Sequence, residues 1–512
     1  MSDSHDATVL GIDIGTTSAK AGAFDADGDE TGAAETAYPL LEPQPGWAVQ
    51  DPVAVTDAVV GVARTALAGA TAAGVAVAGL SFSTALHSLV GLDAHDRPIT
   101  PLLTWADQRA APQAERLRVE RPHLHGLTGT PLHPMSPLAK LVWFREEEPA
   151  LFARARRWCG IKELVVHRLT GEWVTDHSVA SATGLMSLAD LDWAPEALEV
   201  AGVSVDRLPR LAGTEHVLAL SAEGARLLGA DPALPLVLGA GDGPLANLGV
   251  GAVRPGVAAC SIGTSGALRL VVERPVIDRA GRVFCYALSR GRWVVGGAIN
   301  NGGVVLQWAG DALAPELGEH SEKALLDLAA QAPPGSDGLL MLPYVLSERA
   351  PHWSTLPRGA YVGLTRAHRR EHLVRAALEG VCQQLALVLA SLREAGNEIR
   401  EIRATGGFAR SPLWRRLLCD VLGFPVGFPE NHHGSGFGAA LLGMEALGLI
   451  ETIERAADLI AIDEVLEPDP EAAAVYAAML PTFDALYDAL TPAFRALRDV
   501  ARAPDPEPPV RR

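Results

Sequence analysis

The sequence predicts an α/β protein that is built from two domains. The chain has 512 residues, whereas single hydrophobic cores stop growing near about 250–300 residues. Strand-like apolar runs alternate with helical patterns along the chain, which is typical of α/β domains. The segment 14–19 is also echoed by the segment 262–267, as expected if the second half repeats the first.

The first half opens with a predicted β-hairpin. Residues 8–14 and 19–24 have strand-like patterns, and the turn between them holds Gly15, Thr16 and Thr17. The other predicted elements of this half are a helix over 52–70, a buried strand over 75–81 and an irregular elaboration over 112–220.

A second set of strands and turns follows in the other half. An apolar strand from about residue 236 runs into Asp242, which lies between two glycines. A strand over 257–262 then leads into Gly263 and Thr264. The other predicted elements are a helix over 371–394, a strand over 399–404, the turn Gly406-Gly407, and a helix capped by Ser411 with proline at its first position.

The domain boundary is placed a short distance before the echo, near residues 245–256. We expect an N-terminal domain over residues 1–247 and a C-terminal domain over 248–500. The proline-rich segment 501–512 is predicted to be a disordered tail.

Composition argues against several classes of protein. The formal net charge is −18, from 61 acidic and 43 basic residues, so the average field repels nucleic acid and anionic membranes. The five cysteines have no CxxC spacing, which argues against a zinc site or a redox pair. The first residues lack the pattern of a signal peptide, and no run of about 18 apolar residues occurs. We therefore expect a cytoplasmic protein with neither nucleic acid nor membrane as a partner.

The glycine turns suggest phosphate chemistry. Phosphoryl transfer needs exposed backbone N–H groups and hydroxyls around the phosphates. A single turn such as Gly15-Thr16-Thr17 is more often an ordinary hairpin. A second turn at Gly263-Thr264, and a glycine pair ahead of a capped helix, make a phosphate site the better interpretation.

Two aspartates are candidates for the reacting centre. Asp242, at a strand end, is placed to take the proton of an attacking hydroxyl. Asp13, just before the first turn, is placed to meet a metal-bound phosphate. The structural alternatives are turn-capping roles for both aspartates, and an exposed edge position for the nearby Lys20.

The acceptor side has its own candidates. Trp105 offers a flat apolar face, while His87, Asp107 and Arg109 offer directional hydrogen bonds to hydroxyls or a carboxylate. Taken singly, His87 and Trp105 are more typical of core residues.

Five motifs in order make the chain resemble the FGGY family of carbohydrate kinases from about residue 8 to 449. They are Gly11-Ile12-Asp13-Ile14-Gly15-Thr16-Thr17, Trp105-Ala106-Asp107-Gln108-Arg109, Gly241-Asp242-Gly243, Glu348-Arg349-Ala350-Pro351-His352-Trp353 and Ala404-Thr405-Gly406-Gly407-Phe408. The resemblance implies two actin-like (ribonuclease H-like) domains, an active site in the cleft between them, and the use of ATP and Mg²⁺.

The resemblance also assigns roles by position. Asp242 matches the catalytic base, which also lies at the metal, and Asp13 matches the magnesium-associated acid. The sugar-side matches are His87, Trp105, Asp107 and Arg109. The nucleotide-side matches are Gly15, Thr16, Thr17, Lys20, Gly263, Thr264, Gly303, Gln307, Gly406, Gly407 and Ser411.

Within the family the chain is most similar to gluconate kinases. This rests on the segments 81–88, 160–163 and 300–303. A gluconate site needs a cation for the carboxylate, for which Arg109 and Lys162 are candidates; the alternative for Lys162 is an exposed loop lysine. Leu86 stands where Met is expected, a tolerated apolar exchange, and Ser347 replaces a common glycine.

The predicted function is ATP-dependent phosphorylation of D-gluconate to 6-phospho-D-gluconate. The alternative within the family is a xylulose kinase, or another pentulose or polyol kinase. Alternatives from other classes are an actin-like ATPase and a sugar-sensing binding protein; a nicotinamide dehydrogenase lacks support because no GxGxxG follows the first strand. The expected partners are a small sugar or sugar acid and, as one option, a second copy of the chain in a homodimer.

Overall fold

The fold is built on two mixed β-sheets, one in each half of the chain. The computed structural model describes residues 8–318, 322–430 and 433–501. The predicted disordered tail lies outside the described residues, apart from Ala501, which ends the last helix. The sheets and their covering helices confirm the α/β fold class.

The strands follow one another in chain order. They are β1 (Thr8–Ile14), β2 (Ser18–Phe24), β3 (Glu30–Ala37), β4 (Val49–Gln50), β5 (Val77–Thr84), β6 (Val90–Leu92), β7 (Leu102–Leu103), β8 (Arg157–Cys159), β9 (Val174–Asp176), β10 (Met186–Ser187), β11 (Asp192–Trp193), β12 (Arg210–Ala212), β13 (Val217–Ala219), β14 (Pro235–Gly241), β15 (Val257–Ile262), β16 (Gly266–Val272), β17 (Phe284–Ser289), β18 (Arg292–Ile299), β19 (Leu340–Leu342), β20 (Ala360–Val362), β21 (Glu401–Thr405), β22 (Val426–Pro429) and β23 (Ile462–Leu466).

The helices are numbered in the same way. They are α1 (Pro52–Ala72), α2 (Ala111–Glu120), α3 (His123–Thr128), α4 (Pro137–Glu147), α5 (Pro149–Arg154), α6 (Ile161–Thr170), α7 (His177–Ser181), α8 (Pro195–Ala201), α9 (Ala222–Leu228), α10 (Asp242–Gly249), α11 (Gly303–Leu313), α12 (Glu322–Ala329), α13 (Arg370–Glu394), α14 (Pro412–Leu422), α15 (Ser435–Ala446), α16 (Ala456–Leu459) and α17 (Pro470–Ala501).

The first sheet has six strands in the order β13-β14-β5-β1-β2-β3. Strand β1 pairs antiparallel with β2 and parallel with β5, and β14 runs parallel to β5. The carboxyl ends of three parallel strands therefore meet at one edge. There Asp13 lies opposite Ser83 and Gly241 lies opposite Thr84, which brings the two predicted reactive aspartates to the same edge of the sheet.

The second sheet has seven strands in the order β17-β18-β16-β15-β21-β22-β23. It repeats the start of the first sheet, because β15 forms a hairpin with β16 and runs parallel to β21. The pairing of Ser261 with Thr405 puts the turns at Gly263 and Gly406 at one edge. The echo seen in the sequence is thus a structural repeat.

Helix α15, from the second half, packs on the first sheet. A Cβ added to Gly11 of β1 would lie 2.0 Å from the carbonyl oxygen of Gly436, and one added to Gly438 would lie 2.4 Å from that of Leu245 in α10. Neither contact leaves room for a side chain. Helices α10 and α15 therefore lie together where the two halves meet, directly behind the edge that carries Asp13.

The segment predicted to be irregular consists mainly of short helices, α2 to α8, around a separate hydrophobic cluster. Their length explains the weak helical periodicity. This layer also contacts the second half: Cys285 N–H donates to the carbonyl of Gly129 at 2.9 Å, and Ala287 N–H donates to Ser181 Oγ at 3.0 Å. The layer therefore joins the two halves on one side of the cleft.

Two helices, α1 and α13, are long and apolar enough by length and composition to cross a membrane. Helix α13 is almost entirely buried in the second half and α1 covers the first sheet with one face, as core helices of globular proteins do. All five cysteines are buried and unpaired by disulfides, as is common for cysteines in hydrophobic cores.

Candidate active site

A cavity of about 330 Å³ lies between the two halves. The first half contributes four predicted site residues, Thr16, His87, Trp105 and Asp242. The second half contributes the predicted Gly263 together with three side chains to which no role was assigned from the sequence, Arg269, Tyr286 and Arg349. We call this space the sugar-side cavity.

Asp242 is the acidic residue that lines the sugar-side cavity. It is the first residue of α10, directly after β14, and its carboxylate accepts a hydrogen bond from Gly243 N–H at 2.7 Å. Burial and the nearby charge of Asp13 raise the pKa of Asp242 to about 6, against the opposing effects of Gly243 N–H, Arg269 and Arg349. A carboxylate with this pKa is ionised at neutral pH and can accept a proton.

Asp13 is held by two hydroxyls. Its Oδ1 accepts hydrogen bonds from Ser83 at 2.6 Å and from Ser435 of α15 at 2.9 Å. The serines fix one carboxylate oxygen, and the other lies towards the phosphate turn, 3.9 Å from a Cβ built on Gly15. Ser83 belongs to the segment 81–88 on which the subfamily resemblance rests, but its contact with Asp13 was not predicted. Ser435 was missed, since nothing in its local pattern distinguishes it from other serines.

The carboxylates fit a magnesium ion that is shared with phosphates. Mg²⁺ commonly takes one or two protein carboxylates, with substrate oxygens and waters completing its shell. Asp13 and Asp242 supply such a pair. Within the described residues no group of three or more His, Cys, Asp or Glu side chains forms a metal site. A magnesium ion at this edge would therefore also need ligands from phosphates or water.

Trp105 joins the first phosphate turn to the wall of the cavity. Its indole N–H donates to Thr16 Oγ1 at 2.9 Å. The guanidinium of Arg349 lies 4.7 Å from the centre of its ring. The residue predicted as an apolar platform thus also orients the hydroxyl of the turn.

His87 is a neutral hydrogen-bonding group of the wall. Its backbone has a positive φ of 68°, and its Nδ1 lies 2.8 Å from the carbonyl oxygen of Ala182. A carbonyl only accepts, so Nδ1 carries the proton and Nε2 is an acceptor. Burial, followed by the charges of Lys140 and Arg349, lowers the pKa of His87 to about 3.

Lys140 supports this wall from behind. The side chain is fully buried, and its Nζ donates to the carbonyls of His87 at 2.6 Å and Thr104 at 2.8 Å. Burial lowers the pKa of Lys140 to about 7. It positions both His87 and the residue before Trp105 without lining the cavity.

Asp107 and Arg109 do not line the sugar-side cavity, which corrects the expectation that they bind the substrate. Their side chains are buried and paired with each other at 2.8 Å. Asp107 also accepts from Ala48 N–H at 2.9 Å, and the guanidinium of Arg109 lies 3.6 Å from the ring centre of Trp47. The pair stabilises the loop that presents Trp105, so its charges are already satisfied.

Lys162 is placed elsewhere than expected. It is buried and forms an ion pair with Asp176, so it does not lie in an exposed loop and its charge is already paired. Lys20 is exposed on β2 and pairs with Glu35 of β3 at 3.3 Å. It lies directly opposite Asp13 of β1, and hence on the same face of the sheet, although it lines neither cavity; its assignment to the phosphate site stays a prediction.

A larger cavity of about 720 Å³ adjoins the phosphate turn of the second half. It is lined by five predicted nucleotide-side residues, Gly263, Thr264, Gly303, Gln307 and Gly407. Gly263 lines both cavities, so the two spaces meet at this turn. We call the larger space the nucleotide-side cavity.

Close backbone contacts build the nucleotide-side cavity. Gly303 N–H donates to the carbonyl of Gly263 at 2.7 Å, so the amino terminus of α11 lies against the turn. Gly406 has a φ of 121°, and a Cβ there would lie 2.2 Å from Ile262 O. Glycine is required at this position because a side chain would have no room.

Four predicted residues lie beside the cavities and do not line them. Gly15 and Thr17 flank Thr16 in the first turn, and Gly406 precedes Gly407 in the third. Ser411 caps α14, with its Oγ accepting from Trp414 N–H at 3.2 Å. The capping role was predicted, and the nucleotide contact of Ser411 stays a prediction.

Glu348 fixes the loop that carries Arg349. Its carboxylate accepts from the backbone N–H groups of Asn300 at 2.6 Å and Arg349 at 2.8 Å, and from Asn301 Nδ2 at 2.9 Å. Burial raises the pKa of Glu348 to about 7. This contact explains why the segment Glu348-Arg349 carries part of the family resemblance, although the sequence assigned Arg349 no role.

Comparison with known proteins agrees with this geometry. Residues 8–249 match the N-terminal domain, and residues 258–447 the C-terminal domain, of the FGGY family of carbohydrate kinases. The chain belongs to the FGGY family of carbohydrate kinases. It has the kinase fold of that family, with actin-like domains on either side of the cleft, and the family resemblance drawn from the five motifs is confirmed.

Individual FGGY relatives cover nearly the whole chain. The gluconokinase of Bacillus subtilis (strain 168) is 41% identical over 93% of this chain and 94% of its own length. The xylulose kinase of Escherichia coli (strain K12) is 30% identical over 93% of this chain and 98% of its own length.

Solved FGGY structures do not separate the two activities. A gluconate kinase from Lactobacillus acidophilus superposes with a TM-score of 0.90 at 33% identity, over 96% of this chain and 99% of that one. A xylulose kinase from the same organism gives the same TM-score and identity, over 96% and 100%. The fold alone therefore does not distinguish a gluconate kinase from a xylulose kinase.

Proposed function

We propose that this FGGY kinase transfers the γ-phosphoryl group of ATP to the terminal hydroxyl of D-gluconate, which gives 6-phospho-D-gluconate. The observation that carries the proposal is that the two cavities meet at Gly263, with Asp242 in the smaller one. A nucleotide and an acceptor bound in these spaces meet at the phosphate turn, as in-line transfer requires. The higher identity to gluconokinase than to xylulose kinase supports the sugar acid.

Asp242 acts as the base in the proposed reaction. It takes the proton of the acceptor hydroxyl while the oxygen attacks the γ-phosphorus. The bond from the γ-phosphorus to the β–γ bridging oxygen breaks, and ADP leaves. Because the transition state is loose, the position of the carboxylate matters more than its basicity.

The phosphates are held by the two turns. The Thr16 hydroxyl, oriented by Trp105, faces the acceptor side, while Thr264 offers its backbone N–H and its hydroxyl from the second half. The N–H of Gly263 already donates to Ser265 O at 2.8 Å, so this glycine contributes a close approach of the backbone. Asp13 and Asp242 are the residues that would hold magnesium, which neutralises phosphate charge when bound. Closure of the cleft excludes water, and this limits ATP hydrolysis.

The acceptor is oriented by the walls of the sugar-side cavity. His87 Nε2 accepts a hydrogen bond from a hydroxyl, and the face of Trp105 packs on C–H groups. Both belong to the first half, whereas Tyr286 and Arg349 face them from the second. A substrate that spans the cavity therefore contacts both halves.

A coupled assay of ADP production tests the proposal. Gluconate, xylulose, ribulose and glycerol are each offered at saturating ATP and Mg²⁺. The highest kcat/KM is expected with gluconate. A higher value with xylulose would favour the second candidate, which the equal structural similarity to a xylulose kinase supports. No stimulation by any acceptor would contradict carbohydrate phosphorylation and favour an actin-like ATPase or a sugar sensor.

Three further predictions belong with this function. We propose a cytoplasmic location, and a domain boundary after residue 247, since the strands of the first sheet end at Gly241 and those of the second begin at Val257. Cell fractionation and separate expression of residues 1–247 and 248–500 test them. A homodimer, the third prediction, is tested by sedimentation velocity.

A further inference from the structure

Two arginines line the sugar-side cavity without an acidic partner. Arg269 lies on β16 and Arg349 lies in the loop after β19. Within the part of the chain that the structure describes, neither forms an ion pair. By contrast, the buried Arg109 and Arg375 are paired with acids at 2.8 Å. An inward-facing cation without a counter-charge costs free energy, so these two arginines indicate a bound anion.

The hydrogen bonds of the two guanidinium groups are sparse. Arg269 donates from Nε to Asn247 Oδ1 at 3.3 Å and from Nη2 to Ser261 Oγ at 3.4 Å, both longer than usual. Arg349 donates from Nη2 to Ile299 O at 3.1 Å, and its Nε has no partner within the described residues. Each guanidinium has five N–H donors, so several remain for a ligand.

Tyr286 is a third donor at the same place. It is 2% exposed and lines the cavity. Its hydroxyl has no hydrogen-bond partner among the described residues, although buried tyrosine hydroxyls normally have one. This buried orphan is independent evidence that a polar ligand completes the wall.

The charges in the cavity favour an anionic acceptor. Arg269 and Arg349 face a single lining carboxylate, that of Asp242, and His87 is neutral. The buried carboxylate of Glu348 also acts on the charge of Arg349, but it does not line the cavity and is bound by three N–H donors. An anionic acceptor would add a second carboxylate on the cavity side of the two arginines, which a neutral polyol would not.

Arg269 lies on the face of β16 that lines the cavity. Ala267 and Arg269 alternate along β16 and both line it, as residues on one face of a strand do. The guanidinium reaches the neighbourhood of the proposed base, since Nη2 donates to Ser261 Oγ at 3.4 Å and Nη1 lies 3.9 Å from a Cβ built on Gly243. An acceptor bound beside Asp242 is therefore within reach of this cation.

We propose that Arg269 and Arg349, with the Tyr286 hydroxyl, bind the carboxylate of the acceptor and so select aldonic acids over neutral polyols. The inference rests on the proposed function, because it names the part of the acceptor that this wall recognises. It replaces Lys162 and Arg109, both of which are paired elsewhere.

The test compares D-gluconate with D-glucitol, which has a primary alcohol in place of the carboxylate. We expect Arg269→Met to lower kcat/KM for gluconate about 100-fold, mainly through KM, because a charge-assisted hydrogen bond is lost. The value for glucitol should change less than about threefold. Arg269→Lys should fall in between, since lysine keeps the charge and loses the planar fork.

The controls distinguish binding from folding. Arg290→Met removes an exposed arginine of the same half, with 91% of its side chain accessible, and should change neither acceptor. Tyr286→Phe should lower gluconate use about tenfold. If Arg269→Met does not fold, the ratio of kcat/KM for gluconate to kcat/KM for glucitol in Arg269→Lys tests the proposal in its place. An equal loss on both acceptors, or no loss on gluconate, would overturn the proposal.

Failure of the proposed function is measured separately. If the wild type does not phosphorylate gluconate, its melting temperature with each compound is measured without ATP. Stabilisation by gluconate that is absent with glucitol and reduced in Arg269→Lys would retain the carboxylate site while rejecting the substrate. Equal effects of the two compounds would reject the carboxylate site as well.

Discussion

The guanidinium of Arg349 lies 4.7 Å from the ring centre of Trp105, across the cleft between the two halves. Trp105 in turn donates to Thr16 in the first phosphate turn. Through this contact a cation of the second half packs against a side chain by which the first half lines the sugar-side cavity. Closure of the cleft, acceptor binding and orientation of the turn are therefore coupled at one side chain.

Trp105→Ala should raise KM for the acceptor about tenfold, because it removes an apolar wall, the hydrogen bond to Thr16 and a cation–π contact that contributes about 0.5–2 kcal/mol. Trp105→Phe keeps the wall and should have a smaller effect. Steady-state kinetics with gluconate checks both. Trp173→Ala is the matched control, since its ring lies 4.7 Å from Arg157 outside both cavities. An equal effect of the two alanine variants would contradict the role of Trp105.

Asp242→Asn should lower kcat at least about 1000-fold, because an amide cannot take the proton of the acceptor hydroxyl. Binding of the nucleotide without magnesium should change little, since the nucleotide-side cavity is not lined by Asp242. Single-turnover kinetics and calorimetric titration with an ATP analogue measure the two properties. Turnover within tenfold of the wild type would remove Asp242 from the role of base.

The pH dependence should report the ionisation of Asp242. A base works when deprotonated, so kcat/KM should rise with pH through about 6, the pKa that burial and Asp13 give this carboxyl. Arg269 opposes that rise in pKa, so in Arg269→Met the midpoint should move upward. Because D-glucitol has no carboxylate, pH profiles measured with it separate this change in the pKa of Asp242 from the loss of carboxylate binding. A midpoint that moves downward in the variant would contradict the assignment.

Lys162→Met should destabilise the protein by about 3–5 kcal/mol, because Asp176 is left as a buried charge without its partner. The loss should affect all acceptors alike. Adding Asp176→Asn should recover part of it, since an amide oxygen can still accept from Ser178 and Val179 N–H at the start of α7. Urea unfolding measures the stability. A selective loss of gluconate use at unchanged stability would restore Lys162 as a substrate ligand.

Gly303→Ala should raise KM for ATP about tenfold and leave KM for the acceptor nearly unchanged. A Cβ at this position would lie 2.8 Å from Gly263 O, which pushes α11 away from the phosphate turn. Gly61→Ala, in a helix with nothing within 4 Å of the new Cβ, is the control and should be neutral or slightly stabilising. Equal changes in both KM values would indicate a general disturbance.

Local patterns were enough to predict the elements that hold the reacting centre. The hairpin turn at Thr16, its echo at Gly263 and the strand that ends before Asp242 are encoded by neighbouring residues, and strand order then brings their ends together. Glycine at 406 and the cap at Ser411 are likewise local requirements of a turn and a helix start.

The partners of the buried charged side chains could not be predicted from the sequence. Asp107, Arg109 and Lys162 have the chemistry of substrate ligands, but each is neutralised by a buried partner that only folding reveals. Arg269 and Arg349 lie 80 residues apart in sequence, and their shared lack of an acid can be seen only where both line one cavity.

The sequence by itself thus determined the family, the two-sheet fold and the position of Asp242 at a strand end, because these depend on contiguous motifs and on strand ends. The tertiary structure decided which charged side chains are left without an ion-pair partner and so are available to bind the acceptor. The reason is physical: a charged side chain can serve a ligand only where the fold leaves it without a counter-ion, and that balance is set by residues distant in the chain.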